Sequence, residues 1–113
     1  MNIESYRDLC LSMGEDVTEK MPFGAFKSAV GVLAFYVCGH MFSFFDVDHF
    51  TLITLKCDPS EIDELKERHS CIGPPANLSA RYWIGVNPDE ADDALLERLT
   101  RQSYEIVRRK YTR

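Results

Sequence analysis

Leu55-Lys56-Cys57-Asp58-Pro59-Ser60-Glu61, followed by Pro74-Pro75-Ala76-Asn77-Leu78-Ser79-Ala80-Arg81-Tyr82-Trp83, is the stretch that decides the fold. It holds a strand end, a helix start, a rigid loop and a returning strand. Asp58 is placed to cap a helix, Pro59 has its backbone preset for the first helical position, and Glu61 stands where a capping box puts its acid. Cys57 before the cap and Ile62 after it have the spacing of a hydrophobic staple. The helix should run to about His69, because Gly73-Pro74-Pro75 forbids continuation. Arg81–Val86 then reads as a strand centred on Trp83.

Upstream, Phe50–Cys57 is an apolar strand with Thr51, Ile53, Leu55 and Cys57 on one face and Leu52, Thr54 and Lys56 on the other. Val30–Cys38 and Met41–Asp46 are two more, rich in Val, Phe and Tyr, joined by Gly39-His40 in what the glycine suggests is a type II′ turn. Residues 17–23 suit a short strand ending at Pro22, and 24–29 a turn. Ile3, Tyr6, Leu9, Cys10 and Met13 recur at helical spacing, so 2–13 is expected to be a helix with Asn2 as N-cap and Gly14 just past its end. A last helix is expected from about Asp89, burying Leu95, Leu96, Leu99, Ile106 and Val107. Its acids come first and its bases last, as the helix dipole favours. The order α-β-β-β-β-α-β-α implies an α+β domain in two layers: a single antiparallel sheet of about five strands with three helices.

The 113 residues suit one domain, 1–113, large enough for a core without staples. Without an apolar run of membrane-spanning length or a basic, apolar leader at the start, the expected location is cytoplasmic and no membrane partner is expected. In such a reducing compartment Cys10, Cys38, Cys57 and Cys71 are expected as free thiols. A net charge of −5 works against nonspecific nucleic-acid binding.

Met21-Pro22-Phe23-Gly24, Val37-x-Gly39-x-Met41-Phe42, Leu55-Lys56-Cys57-Asp58-Pro59, Glu64-Leu65, Pro74, Leu78, Trp83 and Ser103-Tyr104 together resemble the MmcQ/YjbR family of small bacterial proteins. The resemblance implies a compact α+β domain of the secretion-chaperone-like kind. It also implies DNA binding, through a proposed double wing of two β-hairpins. The chain departs from the family in the loop before the Trp, where relatives read roughly His-x-Asn-Lys-Arg-His-Trp. Here Asn77, Leu78, Ser79, Ala80, Arg81, Tyr82 and Trp83 stand instead, without either histidine and with one base of two.

The candidate nucleic-acid-binding residues are therefore Lys56, Asn77 and Arg81 for phosphates and Tyr82 for stacking, with Lys20 and Lys27 as weaker candidates. Trp83 is expected to anchor the sheet against the last helix. Arg108-Arg109-Lys110 and Arg113 are expected to stabilise a helix end rather than form a binding tail. Cys38/His40 and His69/Cys71 are spaced too tightly for a usual zinc site, so no metal and no cofactor is expected. No nucleophile elbow, phosphate loop or His-Glu-x-x-His occurs, and Asp46, Asp48 and His49 suit a solvated turn, so a non-enzymatic binding protein is expected. The protein is expected to be a monomer or a weak homodimer, and the alternative to DNA binding is a protein-interaction or chaperone-like adaptor. It would use Phe35, Tyr36, Phe42, Phe44 and Phe45, which fall on both faces of the hairpin.

Overall fold

The computed structural model describes residues 1–21 and 31–112. Among these residues three helices and six strands follow one another as α1 (Ile3–Leu11), β1 (Thr18–Lys20), β2 (Val32–Val37), β3 (His40–Asp46), β4 (Ile53–Lys56), α2 (Pro59–Arg68), β5 (Ile72–Gly73), β6 (Trp83–Val86) and α3 (Asp93–Tyr111). The strands form one antiparallel sheet in the order β1-β2-β3-β4-β6-β5. The architecture is the expected α+β one, with one strand more. That strand, β5, is two residues long and pairs Ile72 with Val86 and Gly73 with Gly85. It is too short to carry the period-two pattern by which strands are recognised, and it occupies the segment that Gly73 and Pro74 mark as a break.

The helix starts follow their capping residues. The carboxylate of Asp58 accepts from Ser60 N at 2.9 Å, that of Asp92 from Leu95 N at 2.7 Å, and the Asn2 amide oxygen from Ser5 N at 2.8 Å. α3 begins at Asp93, four residues later than its acids suggest, because Asn87 captures the chain first. Its Oδ1 accepts from Asp89 N and its carbonyl from Ala91 N, which closes a turn over 87–91. The reciprocal half of the box at α2 is not made, since Glu61 accepts from Gln102 Nε2 on α3 at 2.6 Å instead.

Two turns differ from their sequence reading. Val37 pairs with His40, so the hairpin loop is Cys38-Gly39, not Gly39-His40. Both loop residues have positive φ, 53° and 78°, the geometry of a type I′ turn. Gly14 keeps an ordinary negative φ region. It is glycine because a Cβ there would collide with the Tyr104 hydroxyl and the Asp16 carboxylate. The expected end of β1 at Pro22, the turn over 24–29, and Lys27 lie outside the described residues.

A bulge in β3 shapes the core. Phe35 faces Ser43 while Tyr36 faces Met41, leaving Phe42 as the extra residue. Phe42 is thereby turned to the same side as Phe45 and Ser43. Phe35, Phe42 and Phe45 join Tyr6, Ile53, Leu55, Ile84, Val86, Leu96, Leu99 and Val107 in one buried cluster under the helices. Each such side chain contributes roughly 1.5–3 kcal/mol by leaving water. Three of the five hairpin aromatics are therefore core, and Phe44, on the other face, is only 9% exposed. On α3 the buried stripe runs through Thr100, Ser103 and Tyr104 as well as the leucines and Val107. Tyr6 Oη bonds Ser43 Oγ at 2.8 Å and Thr100 Oγ1 at 3.0 Å, and Ser103 Oγ donates to the Phe42 carbonyl. The polar members of the stripe thus find partners inside the core.

Among the described residues, no helix is long and apolar enough to cross a membrane.

Candidate functional site

Pleat alternation divides the sheet. Ile53, Leu55, Ile84 and Val86 point to the helices, so Thr54, Lys56, Trp83 and Gly85 point away from them. This overturns the expectation that Trp83 anchors the sheet to α3. The indole lies half-buried on the face without helices, beside its register partner Lys56, whose Nζ stands 5.5 Å from the ring centroid. The register decides the matter: with Ile84 and Val86 inward, Trp83 cannot also be, and the phenylalanines of the hairpin fill the core in its place.

The remaining candidates gather where β4 ends and β6 begins. Tyr82 precedes the strand in a turn in which Tyr82 N and Trp83 N both donate to the Ser79 carbonyl, at 3.2 and 3.1 Å. Its carbonyl accepts from Cys57 N at 2.9 Å, which fixes it against the residue after Lys56. Its ring is 43% exposed, with the Arg81 guanidinium carbon 5.5 Å from the centroid. Asn77 is exposed and left-handed, with φ 57°, a conformation asparagine tolerates better than most residues. The loop that carries it is held to the face without helices by Ala76 N, which donates to Thr54 Oγ1 at 3.2 Å. Lys56, Arg81 and Tyr82 are thus brought together, with Asn77 on the adjoining loop.

The same face holds a pair that the sequence did not join. Lys20 on β1 stands with Nζ 5.4 Å from the centroid of Tyr36 on β2. Neither residue signals the other in sequence, because only the register of Thr18 with Tyr36 and Lys20 with Ala34 brings them together. Among the described residues, Lys20, Lys56 and Arg81 have no carboxylate within ion-pair distance, a state they share with Lys66, Arg98, Arg101 and Lys110, and what sets them apart is their place on this end of the sheet beside aromatic rings.

Other groups singled out by sequence serve local structure. Arg108 pairs with Asp16, Arg109 with Glu105, and Lys110 lies over Tyr111, so this basic run belongs to the end of α3. The Asp46 carboxylate accepts from Asp48 N at 2.8 Å within a turn. His40 stacks on Tyr111 with centroids 3.4 Å apart and planes at 8°, and Cys38 Sγ lies 3.3 Å from Thr112 Oγ1. Among the described residues, no three of His, Cys, Asp and Glu gather in one place. Burial pushes the Cys10 thiol up to about 12 and that of Cys57 up to about 11, so neither is a thiolate near neutrality. A cleft of about 490 Å³ between α2 and α3 is floored by Leu65 and Leu99, and Glu61 and Glu105 balance Arg98 and Arg101 along it.

These features define a small two-layer α+β domain whose sheet face away from the helices is buried at Ala34, Phe44 and Thr54 and carries, at its partly open end, cations set on aromatic rings. The chain belongs to the YjbR family, whose model matches residues 12–106. The crystal structure of the Deinococcus radiodurans protein DR2400, assigned to the DUF419 domain family, is similar. Its TM-score is 0.84 at 26% identity, over 96% of this chain and 80% of that one. A protein from Pseudomonas syringae shares the fold with a TM-score of 0.78 at 16% identity, over 96% of this chain and all of the other. No functionally curated protein matches the chain.

Proposed function

We propose that this protein is a non-enzymatic nucleic-acid-binding domain, cytoplasmic, that holds DNA at the corner where β4 ends and β6 begins. The supporting observation is the pairing of cations with rings that keep exposed surface: Lys56 over the half-buried Trp83, and Arg81 over the exposed Tyr82, neither cation within ion-pair distance of a carboxylate among the described residues. A cation over a ring is attracted by the ring's quadrupole yet keeps its charge, so it remains available to a phosphate while the ring offers a stacking surface. Asn77 adds an amide at the rim. With a net charge of −5, binding at this corner should be weak and steeply dependent on salt. The adaptor reading has less support, because Phe35, Phe42 and Phe45 lie in the core and Phe44 is covered.

Fluorescence anisotropy of labelled DNA, titrated across a salt series, tests the proposal. Affinity should fall steeply with salt, and Arg81→Ala should lower the logarithmic slope by about one unit. The urea midpoint should fall only slightly, since Arg81 is exposed and its contact with the Tyr82 ring is worth no more than about 1 kcal/mol. No anisotropy change with micromolar protein at low salt would end the proposal.

A further inference from the structure

We infer that the ligand is a single strand, and that it runs across the sheet from the Trp83 corner to Tyr36. This deepens the reading above and rests on it. Phe35, Ser43, Leu55 and Ile84 are register neighbours on the helix-covered face, so Tyr36, Lys56 and Trp83 lie on the other face. All sit at one end of the sheet, where β2 and β4 finish and β3 and β6 start. Met41, the register partner of Tyr36, lies between the two ring–cation pairs on β3. Tyr36 on β2 and Trp83 on β6 are three strand spacings apart, about 14 Å. The face therefore carries two stacking positions, Tyr36 with Lys20 and Trp83 with Lys56, separated by more than one base can bridge.

Such a row suits unpaired bases. Ring faces stack only on bases whose own faces are free, and in a duplex those faces are already stacked on each other. The duplex alternative needs an element that enters a groove. The β2–β3 hairpin is not free to do so, because its tip is tied to the end of α3 through the His40–Tyr111 stack and the Cys38–Thr112 contact.

The test uses the full chain with an oligothymidine and a duplex of matched length. Trp83 is the one tryptophan, so its emission reports on the row directly. Oligothymidine should quench it and the duplex should not. Tyr36→Ala should weaken oligothymidine binding on the order of ten-fold, with Tyr36→Phe restoring it. Lys20→Ala, on the exposed edge strand, removes a charge without touching the core and should lower the salt slope by about 0.7, the single-strand value for one phosphate. Duplex binding as tight as single-strand binding would overturn this inference and leave the proposed function standing. So would oligothymidine binding indifferent to both Tyr36→Ala and Lys20→Ala. Failure of both nucleic acids to bind would remove the two together.

Discussion

The two faces of the sheet are made from the same strands and obey opposite rules. Under the helices, Phe35, Phe42, Phe45, Ile53, Leu55, Ile84 and Val86 close a core in which the polar groups answer one another. Tyr6, Ser43 and Thr100 share two hydrogen bonds, and among the described residues no buried side-chain polar atom lacks a partner. On the other face Lys20 and Lys56 rest on rings and, among the described residues, meet no carboxylate. An exposed cation gains little from a carboxylate partner, and one without such a partner stays available to a ligand. The contrast separates residues kept for stability from residues available to a ligand, and it can be broken by substitution on either side.

The largest effect should come from Phe45→Ala. Phe45 is 1% exposed and touches Tyr6, Phe35 and Phe50 edge-on or stacked, at centroid distances of 5.6, 6.1 and 5.0 Å. Truncation should cost about 3–5 kcal/mol, read as a fall in the urea midpoint. A loss below about 1 kcal/mol would mean that this side of the sheet is not the core. Tyr6→Phe is a finer cut. It keeps the ring and removes the hydroxyl, leaving Ser43 Oγ and Thr100 Oγ1 without their shared partner in a site Tyr6 seals completely. The expected cost is about 1–3 kcal/mol, the desolvation left uncompensated when one partner of a buried hydrogen bond is deleted. An unchanged midpoint would show that the two hydroxyls satisfy each other without the tyrosine.

How much of this division was legible in the sequence differs between fold and site. The period-two pattern of Ile53 and Leu55 against Thr54 and Lys56 gave the faces of β4, and the caps at Asn2 and Asp58 located two helix starts. Those signals are local, so a single chain displays them. The position of Trp83 was not local. It depended on which residues of β6 took the inward positions, and the pairing of Ile84 with Leu55 and Val86 with Ile53 sets Trp83 on the other face. The Lys20–Tyr36 pair was hidden for the same reason, since β1 carries only three residues and no pattern announces its register. Lys56, Arg81 and Tyr82 were found because they are neighbours across one short return of the chain. The start of α3 was misplaced because Asn87 competes for the same backbone donors with a turn.

The smallest effect marks the rim where the satisfied side meets solvent. Asp16 lies beyond the end of α1, and its Oδ1 accepts from the Tyr104 hydroxyl of α3 at 2.8 Å, with Arg108 Nε 3.4 Å from Oδ2. The tyrosine's hydrogen bond, and then the guanidinium, hold the carboxyl below its ordinary range. A depressed carboxyl favours the fold when ionised. Its contribution is therefore present above the unfolded value near 3.9 and disappears as pH falls through the lower, folded one. The carboxylate is 42% exposed, so water screens the interaction and the gain should stay below about 1 kcal/mol. Asp16→Asn should lower the urea midpoint slightly at neutral pH, and the two midpoints should converge as the pH drops below the carboxylate range. An equal gap at neutral and strongly acid pH would assign the effect to shape at Gly14, which packs against the same hydroxyl, and not to charge.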